Sequence, residues 1–382
     1  EEWRDRIDET IADAVDFLFE TTEDDGLPRR CQNCWENALG RFTHTGAEYL
    51  RAFAAVARAP VDEGLRADAA AAADAALSGL DGRWNPDTER FLQRASEEGQ
   101  DARADASTFA LATAATEYAA LLDDEAGSDD GAAAGDAAAT DGSGSAGVDA
   151  VAASEFDRFL DRVNTHVRQS IEALRRETSA VEGLVRFAGD DWRTAEQGAA
   201  KVWSIATLWG ATAAATLAGV VEERGGAAEP LFADARDLYA LCGPDGPFVN
   251  EAGLFAEQVF DDGDLDSATP IAWSHALRID ATVTLASHGE LPVPHDRETG
   301  PEAAPHWTTG RKFGVGTPAD YDADDPVPVW FTLTEGALTE ARFPRIDVMN
   351  VRTVDFLVAD PDSEYAIRTF DETGHVSTTE TI

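Results

Sequence analysis

Apolar residues recur along the first three quarters of the chain at steps of three and four, the spacing that places them on one face of a helix. Trp3, Ile7, Ile11, Val15 and Leu18 form the first such stripe, which ends at the acidic Gly-Leu-Pro turn of residues 23–28. Phe42, Tyr49, Phe53 and Val56 mark a second helix, an Ala-rich segment at 66–80 a third, and Phe109, Leu111, Tyr118 and Leu121 a fourth that begins near Asp105. Phe156, Leu160, Val163, Val167, Ile171 and Leu174 repeat the stripe. Residues 199–221 are apolar nearly all round, which predicts a helix enclosed by other helices. Helices over 231–241 and 271–286 complete the set, and aromatic residues collect in the loops between them, including the loop expected at 181–193.

The pattern changes at Leu291-Pro-Val-Pro294. A charged, proline-containing linker is expected over 291–305. Beyond it Val329, Phe331 and Leu333 alternate with polar neighbours, and residues 354–358 and 365–367 add further strands, so 306–382 reads as a separate β unit. Residues 123–153 collapse to Asp, Gly, Ala and Ser; with almost nothing to bury, this insertion is expected to lack order. Its Gly142-Ser-Gly144-Ser-Ala-Gly147 has the spacing of a dinucleotide loop but no strand before it, so no nucleotide site is assigned.

Composition narrows the function. The 382 residues carry 73 Asp and Glu against 30 Lys and Arg, a formal charge of −43. Such a surface repels nucleic acid and anionic membranes and suits a protein solvated in concentrated salt, where screening is strong. The charge is therefore taken as a halophilic adaptation to a high-salt environment; secretion and oligomeric state are left open, with a cytoplasmic location slightly favoured. Only three cysteines occur, Cys31, Cys34 and Cys242. Cys31 and Cys34 would be half a zinc site, yet no second Cys/His pair has suitable spacing, so free thiols, no metal and no cofactor are expected.

Two segments place a carboxylate beside aromatic residues in a loop. Ala256-Glu257-Gln258 is followed by an acidic turn and then Trp273-Ser-His-Ala276, and Asn33-Cys-Trp35-Glu36-Asn37 is followed by Gly40-Arg-Phe-Thr43. Both resemble the loops of the glucoamylases, glycoside hydrolase family fifteen, that bear the general base and the general acid. Arg186-Phe187 with Asp190 resembles that family's sugar-contacting Arg-Tyr loop, and Trp203 matches an aromatic on the helix after it. The resemblance implies a mainly α fold in which residues 1–290 form an incomplete (α/α)6 barrel. Residues 307–347 look like the start of the β-sandwich found ahead of the barrel in prokaryotic members, so an antiparallel β-sandwich portion follows here and the chain reads as a piece of a tandem protein.

Hydrolysis of a glycosidic bond needs one group to protonate the leaving oxygen and another to activate water. By resemblance Glu36 is the acid and Glu257 the base of an inverting exo-acting α-glucosidase. Trp35, Arg186, Trp203, Gln258 and Trp273 are then expected to bind an α-glucan or oligosaccharide. Asn33 and Asn37 stand where the family carries carboxylates, which leaves a catalytically silent glycan-binding or scaffolding module as the alternative.

Overall fold

The computed structural model describes residues 2–96, 99–132, 145–192, 197–243, 246–250, 253–291, 366–370 and 376–381. The chain divides into two units, Glu1–Pro292 and Val293–Ile382. The first holds eight α-helices among the described residues: α1 Glu2–Thr21, α2 Thr43–Arg58, α3 Glu63–Asp81, α4 Ala110–Ala132, α5 Ser145–Leu174, α6 Ser204–Glu223, α7 Glu229–Leu241 and α8 Ala272–Ser287. Their packing alternates. Helices α2, α4, α6 and α8 contact one another in succession, while α3, α5 and α7 each lie against the helix before them and form a second row. Helix α1 lies against α2, stacking Phe19 on Phe53 with ring centroids 5.4 Å apart. Such a double row is the arrangement expected of an incomplete (α/α)6 barrel.

The sequence explains which helices are enclosed. Helix α6 is long and apolar enough to cross a membrane by length and composition, yet 89% of its most apolar window is buried inside the unit. Neighbours on every side remove that surface from water, at roughly 1.5–3 kcal/mol for each fully buried large side chain. Leu50 and Phe53 of α2, Leu111 and Tyr118 of α4, and Phe156 and Phe159 of α5 converge on the same core. Helix α3 starts at an Asp62 cap whose carboxylate accepts from the amides of Gly64 and Leu65, satisfying donors that a helix start leaves free.

Short strands connect the helices. A four-stranded sheet has the order β1 Cys31–Gln32, β2 Leu39–Phe42, β5 Arg94–Ser96 and β6 Gly99–Asp101, and β3 Trp84–Asn85 pairs with β4 Arg90–Phe91. A five-stranded sheet comprises β7 Arg175–Glu177, β8 Glu182–Leu184, β9 Val202–Trp203, β10 Gln258–Val259 and β11 Leu265–Asp266, in the order β11-β10-β9-β8-β7. In the second unit β12 Ala366–Phe370 and β13 Val376–Thr381 form an antiparallel pair.

Two expectations need revision. The segment over 181–193 is not all loop, because β8 occupies part of it. Helices α4 and α5 extend to Ala132 and back to Ser145, into the stretch expected to lack order. Extending a nucleated helix adds one hydrogen bond for each residue fixed, and at the start of α5 the Ala-rich composition favours it further. Helix α8 starts within a residue of its expected bound, with Ile271 as its N-cap and the Thr269–Pro270 peptide cis. The linker beyond Leu291 and the strands expected over 329–358 lie outside the described residues.

Candidate active site

The turn between β1 and β2 carries Trp35 and Glu36. Asn33 is buried and closes this turn: its side-chain oxygen accepts from the amides of Asn37 and Ala38 at 3.0 and 3.2 Å, and its Nδ2 donates to Asn37 Oδ1 at 2.8 Å. A carboxylate could do the first but not the second. The two asparagines that depart from the family pattern are therefore partners. Glu36 sits at the tip, exposed, with φ 56°, a left-handed backbone that non-glycine residues rarely adopt.

Trp35 points inward from the turn. Its ring centroid lies 6.3 Å from each of Trp203, Trp209 and Trp273, and Trp209 lies 5.4 Å from Trp273. His44 meets Trp209 edge-on at 5.7 Å, and burial holds its imidazole below the usual range. The indole N–H of Trp35 donates to Asp105. Asp105 is buried and also accepts from the Gln93 side chain and, at 2.8 Å, from the Ser107 amide. Burial nonetheless raises its carboxyl above the ordinary value, because loss of water outweighs these donors. Burial and the facing Asp105 push the Cys34 thiol up to about 12, which keeps it protonated and inert.

Arg186 is held from two sides. Its Nε and Nη2 donate to the two oxygens of Asp190 at 2.8 and 2.7 Å, a buried bidentate pair. Its guanidinium carbon lies 4.2 Å from the Trp203 ring centroid and 5.5 Å from that of Trp35, within the range of cation–π attraction.

The five-stranded sheet brings the second loop to the same place. Trp203 pairs with Leu184 on one side and Gln258 on the other, and Gln258 pairs with Asp266. Residues directly opposite in a ladder share a face. Glu257 is half-buried, and the Ser267 hydroxyl donates to its Oε2. Its backbone is tied at both ends: the amide donates to Ala268 O at 2.9 Å and the carbonyl accepts from the Ser204 amide at 3.1 Å. Ser204 at the start of α6 also meets Ser274 on α8, Oγ to Oγ at 2.8 Å, so two helix N-termini hold the Glu257 loop.

Trp35, Arg186, Trp203 and Trp273 thus meet directly, and Gln258 joins them as the neighbour of Trp203. The two glutamates adjoin this cluster through their chain neighbours, Trp35 and Gln258; no hydrogen bond joins them to each other among the described residues. Gln258 is 1% exposed, and neither polar atom of its amide has a partner among the described residues. A buried amide in that state is poised to hydrogen-bond a ligand hydroxyl or water. Sequence reasoning missed Asp105, Gln93 and Trp209 as parts of this cluster. Trp209 was visible only as one more apolar residue of an enclosed helix.

Residues 298–381 match the family described as glucodextranase, domain N. A stretch of 64 residues, 17% of this chain, is 39% identical to a glucoamylase of Clostridium sp. (strain G0005), of which it spans 8%. Among solved structures, the glycoside hydrolase family 15 glucoamylase from Hypocrea jecorina has a TM-score of 0.44 at 16% identity, covering 72% of this chain and 46% of that one. Hormoconis resinae glucoamylase has 0.45 at 13% identity, covering 72% and 47%. The chain spans less than half the length of these proteins. The sequence likenesses are thus local: residues 298–381 are similar to glucodextranase domain N, and a 64-residue stretch is similar to part of a glucoamylase.

Proposed function

We propose that the helical unit belongs to an inverting, exo-acting α-glucosidase that removes glucose from the non-reducing ends of α-glucans. Glu36 protonates the glycosidic oxygen and Glu257 deprotonates the attacking water. The observation that carries this reading is the convergence of Trp35, Arg186, Trp203 and Trp273 between the two loops that bear these glutamates. Indole faces bind the apolar faces of a pyranose, while Arg186 and the unpartnered Gln258 amide supply hydrogen bonds to its hydroxyls. The Ser267 hydroxyl keeps the Glu257 carboxylate oriented toward the water. The N-domain segment after a helical unit supports a tandem arrangement, and the charge of −43 supports work in high salt. The deciding experiment follows product anomers by NMR as the protein acts on maltooligosaccharides. Initial release of β-glucose, lost in Glu257→Gln, is the expected result; release of α-glucose would refute the inverting mechanism.

One observation favours a second reading, a glycan-binding module without turnover. Asn33 and Asn37 bond to each other and close the acid-bearing turn. Maltooligosaccharide binding without glucose release, unchanged in Glu36→Gln and Glu257→Gln, would establish it.

A further inference from the structure

Lys201 is one of two lysines in a chain that otherwise draws its positive charge from arginine. Its side chain is fully buried immediately ahead of β9, with Nζ 2.5 Å from Asp266 Oδ2 and 4.1 Å from the ring centroid of Phe260. Asp266 lies in β11, two strands away, so the ion pair passes across β10, the strand that begins right after Glu257. The next residue, Ser267, has φ 67°, and its hydroxyl donates to Glu257. A serine in the left-handed region stays there only when its surroundings over-determine it. Here the fixed points are Asp266 on one side and the Ala268 carbonyl, bonded to the Glu257 amide, on the other.

We propose that Lys201 is a positioning residue for the reaction: its ammonium clasps Asp266 across β10 and so holds the Ser267 hydroxyl against the Glu257 carboxylate. The proposal rests on Glu257 being the general base. A lysine suits the place because its compact charge on a slim stem fits between the Asp266 carboxylate and the Phe260 ring face, whereas a guanidinium is a broader planar fork. Glu257 requires such outside support, because it lies just ahead of a strand only two residues long and is itself only half-buried.

The test uses the full chain in high salt with Lys201→Met, Lys201→Arg and the double variant Lys201→Met/Asp266→Leu, which removes both charges together so that neither is left buried alone. Crystal structures and kinetics on maltooligosaccharides are measured for each. The expected result in the double variant is a folded protein in which Ser267 Oγ has left Glu257. Its kcat falls at least about tenfold while KM stays within about twofold, and the acidic limb of the kcat profile moves to higher pH, because the carboxylate has lost a donor that favours its charged form. Retention of the Ser267–Glu257 bond and of the parent pH profile, with only the melting temperature lowered, would reduce the clasp to a purely structural role and overturn the proposal. Should Lys201→Met fail to fold, the double variant decides. Should the parent itself release no glucose, the general-base reading fails, and the crystal structures still decide whether the clasp holds Ser267.

Discussion

The indole N–H of Trp35 donates to Asp105 Oδ1 at 2.9 Å, joining the turn of Glu36 to a carboxylate 70 residues on that adjoins the loop of Arg186. The other end of this link is backbone: the Ala106 amide donates to Arg186 O at 2.7 Å and the Ala188 amide to Ala104 O at 2.8 Å. One buried carboxylate therefore fixes a ring and a guanidinium relative to each other.

Replacing Asp105 by Ala should strand three donors, those of Trp35, Gln93 and Ser107, each at about 1 to 3 kcal/mol. Chemical denaturation should show a loss of several kcal/mol. Asp105→Asn isolates the charge. Above the ordinary value of 3.8 and below the raised folded value, the folded chain keeps a proton on Asp105 that the unfolded chain gives up, so stability from this group falls as pH rises through that window. The Asn variant should lack that slope, and an unchanged slope would show that Asp105 does not titrate there.

His166 gives the opposite sign. It is buried, its Nδ1 accepts from the Phe91 amide at 3.1 Å and its Nε2 meets Thr108 Oγ1 at 2.8 Å, and burial pushes its pKa down to about 3. As pH falls below 6.5 the unfolded chain takes up a proton that the folded chain refuses, so stability is lost from there down to about 3, by up to roughly 1.4 kcal/mol per pH unit. His166→Gln, whose amide can serve both partners, should flatten this acid limb in denaturant midpoints measured across that range.

Arg186→Ala should be among the most damaging substitutions in the cluster. It leaves Asp190, whose side chain is 2% exposed, without its bidentate partner, and breaking a buried pair from one side costs about 3 to 5 kcal/mol. Arg186→Lys should recover only part of this, since an ammonium cannot make both bonds or stack flat on Trp203. Melting temperature and near-ultraviolet circular dichroism of the tryptophans report both effects; a loss under about 1 kcal/mol in Arg186→Ala would contradict the geometry.

For the two glutamates the prediction is a length. With an oligosaccharide bound, a crystal structure should place the carboxyl groups of Glu36 and Glu257 roughly 6.5 to 9.5 Å apart, room for the attacking water, and not at the roughly 5 Å of a retaining pair. Glu36→Gln and Glu257→Gln should keep substrate binding while losing turnover.

The helices were legible because their stripes are long: Phe156 to Leu174 repeats one face five times, and residues 199–221 announce an enclosed helix by lacking a polar face. The sheet that carries the site was not. Strands β9, β10 and β11 are two residues each, too short for alternation to show. Trp35, Arg186, Trp203 and Trp273 were singled out through motif resemblance, and they do meet. Asp105 gave no local sign beyond a helix start, because what distinguishes it is a tryptophan 70 residues earlier, and Lys201 was hidden because its partner lies 65 residues later.

A ladder made of two-residue strands also decides how this region can change. Side chains alternate faces along a strand, so a slip of one residue exchanges their places wholesale. Substitutions at Gln258 or Asp266 alter a contact by degree. A single-residue insertion between Ser204 and Gln258 that shifted β10 against β9 would instead bring Glu257 opposite Trp203, where Gln258 now stands. Drift within the paired strands is therefore open to exchange of residues and closed to change of register, whereas residues added in the turn at 261–264 can loop out without moving either strand.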